Sequence, residues 1–278
     1  MLLALRYVVT TLILLLSAAL KAQIVRASLS NRYAAPGAYS NNFSDIFSAT
    51  ANQASIASLK TGAFGVYGER RFMLNDLASY TAIIAAPTPT GTFGLQVDYF
   101  GSSFFNETEL GIIYARKISS AIDIGAKFNY HTIKVAGYGN VSVFNFDIGA
   151  IFHLTEKLIS GVHVYNPTSS KLGKTATEKL ESIYSWGLGY EVSKQVFIGT
   201  EIIKHEGQPV SLIAGLRYDL HARIFIRAGI STGINNNSVG VGLNVGFGRI
   251  DLNTAYHPQL GFTPGILLLI NFKKPAEE

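Results

Sequence analysis

Polar and charged residues alternate with apolar ones in the stretch 121–154. The polar positions are Asp123, Gly125, Lys127, Asn129 and His131 in a first run and Asn145, Asp147, Gly149 and His153 in a second. The intervening positions are apolar and often aromatic, and this alternation is typical of a β-strand with two unlike faces. One face is too polar for a packed core, and the other is too continuously apolar for a surface in water. A strand of a transmembrane barrel, with lipid outside and a wet lumen inside, satisfies both conditions.

The same parity, extended along the chain, predicts a set of ionisable side chains that face the lumen. The set comprises Asp98, Glu107, Glu109, Asp147, Arg217, Arg223, Arg227, Arg249 and Asp251. Acids predominate in the third, fourth and sixth predicted strands and arginines in the tenth, eleventh and thirteenth, which face each other in a closed barrel. One hypothesis is a transverse field across a narrow pore. The other, which we favour because unpaired confined charges are costly, is that the opposed charges pair and fill the lumen.

Other groups that could carry chemistry do not form a motif. Six histidines lie on different predicted strands without the short paired spacing of a metal site. The run Val239-Gly240-Val241-Gly242 is glycine-rich but opens no helix, which argues against a phosphate cradle. Serine is so common that a hydrolase triad could be drawn by chance. The sequence therefore predicts no enzymatic activity, no cofactor and no metal site.

Fourteen segments share the alternating pattern, an even number as in single-chain bacterial barrels. They are Gly62–Phe72, Asp76–Ala86, Thr92–Phe100, Glu107–Ile118, Ala121–Val135, Val141–Leu154, Leu158–Asn166, Leu180–Val192, Gln195–His205, Val210–Asp219, Arg223–Ser231, Ser238–Gly246, Arg249–Tyr256 and Phe262–Phe272. Glycine, proline and asparagine clusters separate most of them. The fold class is therefore all-β, a transmembrane antiparallel barrel over residues 62–278. The polar stretch Pro167–Lys179 is expected to be an extracellular loop, and no long loop is expected to fold inward.

The chain begins with features of a secretory signal peptide. Arg6 supplies a positive start, Tyr7–Leu16 an apolar run, and Ser17–Ala22 a small-residue end, with cleavage predicted before Gln23. The absence of cysteine excludes a lipoprotein anchor, disulfides and thiolate metal sites. The expected location is the bacterial outer membrane, where the apolar faces would contact lipid. The net charge of +5 is scattered rather than clustered, so nucleic acid is not an expected partner.

Residues 23–61 differ from the rest, being rich in serine, alanine and asparagine without sustained alternation. Ser44-Asp45 could cap a short helix there. A segment of this size could plug a barrel lumen, or it could be a flexible periplasmic leader. Five glycines on the lumen face could admit such a plug or could simply ease curvature, namely Gly125, Gly149, Gly187, Gly189 and Gly199.

The order of a signal peptide, a small-residue segment and fourteen strands resembles the FadL-type barrel superfamily and, within it, the PorV/PorQ-like proteins of type IX secretion. The stretch Phe47–Ala57 is similar to the family's Asn-Pro-Ala segment, with Asn52, Gln53 and Ala54 at the matching positions and glutamine in place of proline. The resemblance implies that this motif lies in the lumen before the first strand.

Two functions follow from the resemblance. PorV-like relatives are accessory subunits of export machinery, so we expect an accessory subunit with protein partners in a secretion or outer-membrane assembly complex. The alternative is a FadL-like channel for uptake of small hydrophobic molecules, although the chain lacks that family's long surface loops. A channel needs a continuous apolar path, whereas an accessory subunit needs a surface that faces a partner.

Overall fold

The computed structural model describes residues 32–172, 179–232 and 236–272. Within them, antiparallel strands form a closed barrel in which each strand pairs with its neighbours in the sequence and β1 pairs with β14. The strands are β1 Ala63–Arg70, β2 Ala78–Thr88, β3 Gly91–Gly101, β4 Phe105–Lys117, β5 Ile122–Val135, β6 Gly139–His153, β7 Leu158–Tyr165, β8 Ile183–Glu191, β9 Val196–His205, β10 Val210–His221, β11 Ile224–Ser231, β12 Asn236–Val245, β13 Gly248–His257 and β14 Gly261–Asn271. The predicted all-β barrel of fourteen strands is confirmed.

The two faces of each strand differ in exposure as the alternation predicts. In β11, Phe225 and Arg227 are buried inside the barrel, whereas Ile226 and Ile230 are exposed on its outer surface. The first stretch follows the same rule, because Lys127 is buried and Phe128 is 67% exposed. The outer surface is therefore apolar and the inner wall largely polar.

Predicted strand ends differ most between the first two strands. The alternating pattern predicts Phe72 and Asp76 in strands, but both residues lie in short 3₁₀ turns, at Arg71–Met73 and Asn75–Leu77. Phe72 and Met73 adopt left-handed backbone angles, with φ of 53° and 63°, which a strand cannot continue. The chain reverses here through a backbone conformation that alternation does not reveal.

The barrel has two unlike rims. At the entry rim, where β1 begins and β14 ends, short turns such as Pro89-Thr90 and Ala222-Arg223 join the strands. At the opposite rim, called the loop rim, residues 166–182 connect β7 to β8. Strands β4, β5 and β6 are 13, 14 and 15 residues long, whereas β7 has only 8. The barrel wall is therefore lower at β7.

The described residues of the loop 166–182 pack inward at this gap, contrary to the expectation that no long loop folds inward. Its described residues Leu172 and Leu180 are buried and pack with Val143 and Tyr165 of the inner wall. Asn166 holds the loop in place, because its amide Nδ2 donates to the carbonyl oxygen of Leu180 at 2.7 Å. The loop is polar overall, so its composition does not predict that Leu172 and Leu180 are buried.

Residues 32–62, here called the N-terminal segment, precede β1 and contain 3₁₀ helices at Arg32–Tyr39, Ile46–Thr50 and Gln53–Ser58. Asp45 caps the second of these, since its carboxylate accepts from the Phe47 amide at 2.7 Å. Helices in the described ranges are all too short or too polar to cross a membrane. The predicted signal peptide and residues 23–31 lie outside the described residues.

Candidate functional site

The N-terminal segment lies against the inner wall of the barrel. Tyr39, Ile46 and Ile56 are each 0% exposed, which is possible only inside the lumen. Hydrogen bonds and an ion pair join the segment to several strands. Tyr39 donates to Glu201 of β9 at 2.9 Å, and Asp45 pairs with Arg249 of β13 at 2.7 Å. Whether the segment blocks the passage of solutes remains a prediction.

A single carboxylate at the entry rim holds the start of the segment. Glu191, on β8, accepts from the Ser40 hydroxyl at 2.5 Å and from the backbone amides of Asn41 and Asn42 at 2.7 and 3.0 Å. The Asn42 side chain also donates to it. Charge-assisted bonds of this kind are stronger than neutral ones. Glu191 is thus an anchor for the backbone of the segment.

Inward glycines make room for the segment. A Cβ placed on Gly187 would lie 1.8 Å from the Tyr39 ring, and one on Gly125 would lie 2.5 Å from the Ala54 nitrogen. The other three predicted positions are similar, because a Cβ on Gly149, Gly189 or Gly199 would meet Asn52, Tyr39 or Pro36 within 2.4 Å. Close approach of the segment, rather than wall curvature, accounts for all five glycines.

The motif residues Asn52, Gln53 and Ala54 lie together beside β5, β6 and β7. The Asn52 amide donates to the carbonyl oxygens of Ala150 and Val162 at 3.3 and 3.0 Å, and its side-chain oxygen accepts from the Ala54 amide. Asn52 therefore caps the helix Gln53–Ser58 and ties it to the wall. Because this cap directs the chain, glutamine can occupy the position where the resembling motif has proline.

The arginines of the inner wall surround one aromatic ring. The guanidinium carbons of Arg217, Arg227 and Arg249, here called the arginine wall, lie 4.0, 4.8 and 5.6 Å from the centroid of the Phe225 ring. Gly242 makes this possible, since a Cβ there would be 1.9 Å from Phe225. Cation–π attraction holds the like charges together around a shared ring.

Acids beside the arginine wall balance its charge. Asp251 contacts both Arg227 and Arg249, at 3.2 and 2.9 Å, while Asp219 contacts Arg217 at 2.8 Å. Asp45 supplies the third carboxylate from the N-terminal segment. Burial alone would raise the pKa of Asp45, but the charges of Arg249 and Arg227 outweigh it and hold the pKa below its usual value. Asp45 is therefore a carboxylate at neutral pH.

The predicted acids of the other side form a network around one lysine. The Lys127 ammonium lies 3.2 Å from Glu109 and 3.3 Å from Asp147, and Tyr165 donates to Glu109. Asp98 accepts from Thr81 and Gln96, both at 2.6 Å. Glu107 lies 3.7 Å from His131. Strand pairing explains the lysine contact, because Lys127 is directly opposite Asp147.

The charges pair differently from either hypothesis. The ion pairs given above lie within one wall or reach the N-terminal segment, instead of joining two opposed walls across the lumen. Arg223 is a further difference, because it lies exposed in the turn between β10 and β11 rather than among the lumen arginines. The alternating pattern predicts Arg223 as the first, inward-facing residue of its strand, but β11 begins only at Ile224.

An apolar sector interrupts the polar inner wall near the entry rim. It consists of inward residues of β14, β1, β2 and β4, namely Ala63, Tyr67, Ile83, Ala85, Ile113, Ala115, Leu267 and Leu269. Ile46, Phe47 and Ile56 of the N-terminal segment cover this sector. The apolar interior was not predicted, although Leu267 and Leu269 interrupt the alternation of β14 in the sequence.

Three histidines in the described residues each contact a polar side chain. His153 lies 2.8 Å from Asp123, His205 lies 3.2 Å from Glu181, and His163 contacts the Gln53 amide. In the ranges that the structure describes, no group of three or more acidic, histidine or cysteine side chains is placed to hold a metal ion.

Neither protein-family models nor curated proteins match the sequence. Solved structures do match the barrel. The monoaromatic hydrocarbon channel CymD superposes with a TM-score of 0.62 at 11% identity, over 82% of this chain and 93% of CymD. The Pseudomonas putida toluene transporter TodX gives 0.60 at 10% identity, over 84% and 96%. A Pseudomonas aeruginosa FadL homologue gives 0.61 at 11% identity, over 88% and 98%. The chain therefore has the barrel fold of the FadL-type channels.

Proposed function

We propose that this protein is an outer-membrane channel for the uptake of small hydrophobic molecules, with the N-terminal segment controlling the lumen. The proposal is supported by the fold shared with hydrocarbon channels and by the apolar sector of the inner wall. The apolar outer surface would contact lipid, and the entry rim would face the periplasm. The sequence alone favours an accessory subunit, but the fold and the apolar sector support the uptake channel better.

The apolar sector is the observation that carries this proposal. A passage for ions or sugars needs a polar lining, whereas Ile83, Ile113 and Leu267 offer a wall that a hydrophobic molecule can follow. In the described state, Phe47 and Ile56 occupy that wall. A molecule can move along it only when the segment shifts, so the segment would act as the gate.

The gate is held by polar contacts and by the packing of Ile46, Phe47 and Ile56 on the apolar sector. The segment is tied to the wall through Tyr39, Asp45 and Asn52, and its contacts to Glu191 lie at the entry rim. The strands pair with one another around the closed barrel, and this pairing does not include the segment. The segment can thus leave the wall without unfolding of the barrel.

Uptake of radiolabelled toluene into cells that express the barrel tests the channel. Ile113→Gln places an amide in the apolar sector and should lower the uptake rate at least severalfold. Ile118→Gln, at an exposed position just beyond the end of β4, is the matched control and should leave it unchanged. Equal rates for cells with and without the protein would refute the proposal.

A test of the gate uses the segment itself. The intact protein should conduct ions poorly in planar bilayers, and deletion of residues 23–58 should open a steady conductance while the barrel remains folded. Large conductance by the intact protein would show that the segment does not close the lumen.

The accessory role in type IX secretion or outer-membrane assembly remains the second candidate. Its support is the hairpin of β5 and β6, which ends in Tyr138 with 92% exposure and could meet a partner. Affinity purification from detergent-solubilised outer membrane tests it. Stoichiometric recovery of a secretion or assembly subunit, lost on Tyr138→Ser, would favour this role over the channel.

A further inference from the structure

We infer that the cleft between the N-terminal segment and the arginine wall is a binding site for a small aromatic carboxylate. Asp45 occupies the carboxylate position of this site while the segment is in place. The inference rests on the proposed function, because it names a class of molecule that the channel admits and that opens its gate.

The cleft is small and lies at the contact between gate and wall. Its lining combines Phe43 and Asp45 of the segment with Phe197, Arg227 and Arg249 of the barrel. Its free volume is about 20 Å³. This is room for one or two water molecules and for no larger solute. A ligand therefore has to displace part of the segment to enter.

Arg249 is the centre of the anion site. The residue is only 8% exposed, and its Nη1 donates to Asp45 while its Nε contacts Asp251. The remaining terminal nitrogen, Nη2, has no hydrogen-bond partner among the described residues. A guanidinium favours a carboxylate held by two parallel bonds, and Asp45 supplies one. Arg249 can thus bind a carboxylate with both terminal nitrogens, but Asp45 uses only one of them.

Charge balance makes the site selective for an anion when the segment moves. Three arginines face the carboxylates of Asp45, Asp219 and Asp251. Withdrawal of Asp45 removes one negative charge from Arg249, and a buried guanidinium is costly without that partner. An incoming carboxylate restores the balance and so replaces Asp45.

The aromatic side chains beside the arginines favour a ligand that contains an aromatic ring. Phe43, two residues before Asp45, packs on Phe197 with ring centroids 5.7 Å apart and lies under Arg217, so withdrawal of the segment uncovers Phe197 and Arg217 for the ring of a ligand. Aromatic rings and guanidinium planes stack favourably on a further flat ring. An aromatic carboxylate such as benzoate therefore satisfies the charge and the shape of the site together.

Isothermal titration of the purified full-length barrel with benzoate tests the inference. Arg249→Gln should weaken benzoate binding by about tenfold or more, because it removes a charge-assisted pair. Asp45→Asn should strengthen it by about tenfold, because the tethered competitor loses its charge. Arg223→Gln, which changes an exposed arginine in a turn, is the matched control and should bind as the unaltered protein does.

Two neutral or smaller probes sharpen the result. Benzyl alcohol and acetate should each bind more weakly than benzoate, since one lacks the charge and the other the ring. Equal binding of benzyl alcohol and benzoate, or no gain in Asp45→Asn, would overturn the inference even if Arg249→Gln fails to fold. Toluene uptake that persists without benzoate binding would remove the inference but leave the channel. Benzoate binding without uptake of either molecule would remove the channel instead.

Discussion

Gly187→Ala is expected to loosen the N-terminal segment because it removes the space for one ring. The new methyl carbon would lie 1.8 Å from Cε2 of Tyr39 and 2.2 Å from Cζ, far inside van der Waals contact. Tyr39 is 0% exposed and cannot swing away while its hydroxyl donates to Glu201. Burial, together with the negative charge of Glu201, raises the pKa of Tyr39, so the hydroxyl keeps its proton. Either this bond breaks or the segment withdraws.

The size of the effect follows from the cost of overpacking. An extra methyl group in a well-packed interior costs about 1–3 kcal/mol. If this cost falls only on the closed state, it raises the ratio of molecules with a displaced segment to molecules with a closed segment about 5-fold to 150-fold. The open probability in planar bilayers should rise by the same factor wherever the closed state predominates.

Single-channel recording of matched variants isolates the contact. Gly248→Ala is the control, because a Cβ there meets nothing closer than 3.5 Å. In a Tyr39→Ala background the effect of Gly187→Ala should largely vanish, since the clash needs both groups. A conductance increase of equal size with and without the Tyr39 ring would show that alanine acts on the barrel wall and not on the gate.

Further outcomes are expected at the lipid face, the loop and the ion pair. Ile226→Arg, on the exposed face of β11, should lower the free energy of unfolding in lipid vesicles by about 2–4 kcal/mol if it faces mid-bilayer, whereas Ile226→Leu should change it little. Leu180→Ala should speed proteolysis of the loop 166–182, because it deletes a side chain with 0% exposure; Leu154→Ala, at a 56% exposed position, should not. Asp45 has a lowered pKa in the closed state, so its pair with Arg249 stabilises closure above the usual carboxyl pKa and loses this stabilisation as pH falls through the lowered value. Conductance should therefore rise only in acid, at pH values below the usual carboxyl pKa, and Asp45→Asn should lack that step.

The sequence predicted the wall of the barrel well because lipid and lumen impose opposite demands on neighbouring residues. Every strand shares most of its residues with one of the fourteen predicted segments. Ends were less accurate where backbone geometry decides them, as at Phe72, and Arg223 was assigned to the lumen for the same reason. Local alternation determines which way a side chain faces, but not where the strand stops.

The interior could be predicted only in part, because its contacts join residues distant in the sequence. The contact of Lys127 with Asp147 follows from pairing across one hairpin, whereas that of Asp45 with Arg249 depends on the path of the segment through the lumen. Phe225 was not identified as a lumen residue, since the predicted lumen set contains only ionisable side chains. Its shared parity with Arg227 was the available signal.

The contacts of the N-terminal segment also constrain how the barrel is assembled. The segment is synthesised before the barrel strands. Its partners Ala150, Glu201 and Arg249 lie far along the chain and on different sides of the barrel. Contacts between residues so distant in sequence form late and slowly. The seam between β1 and β14 joins the two ends of the barrel sequence. If the seam between β1 and β14 closes last, the segment must already lie against the inner wall at that moment. The strands would then close around the segment, and its contacts would help to order the inner wall.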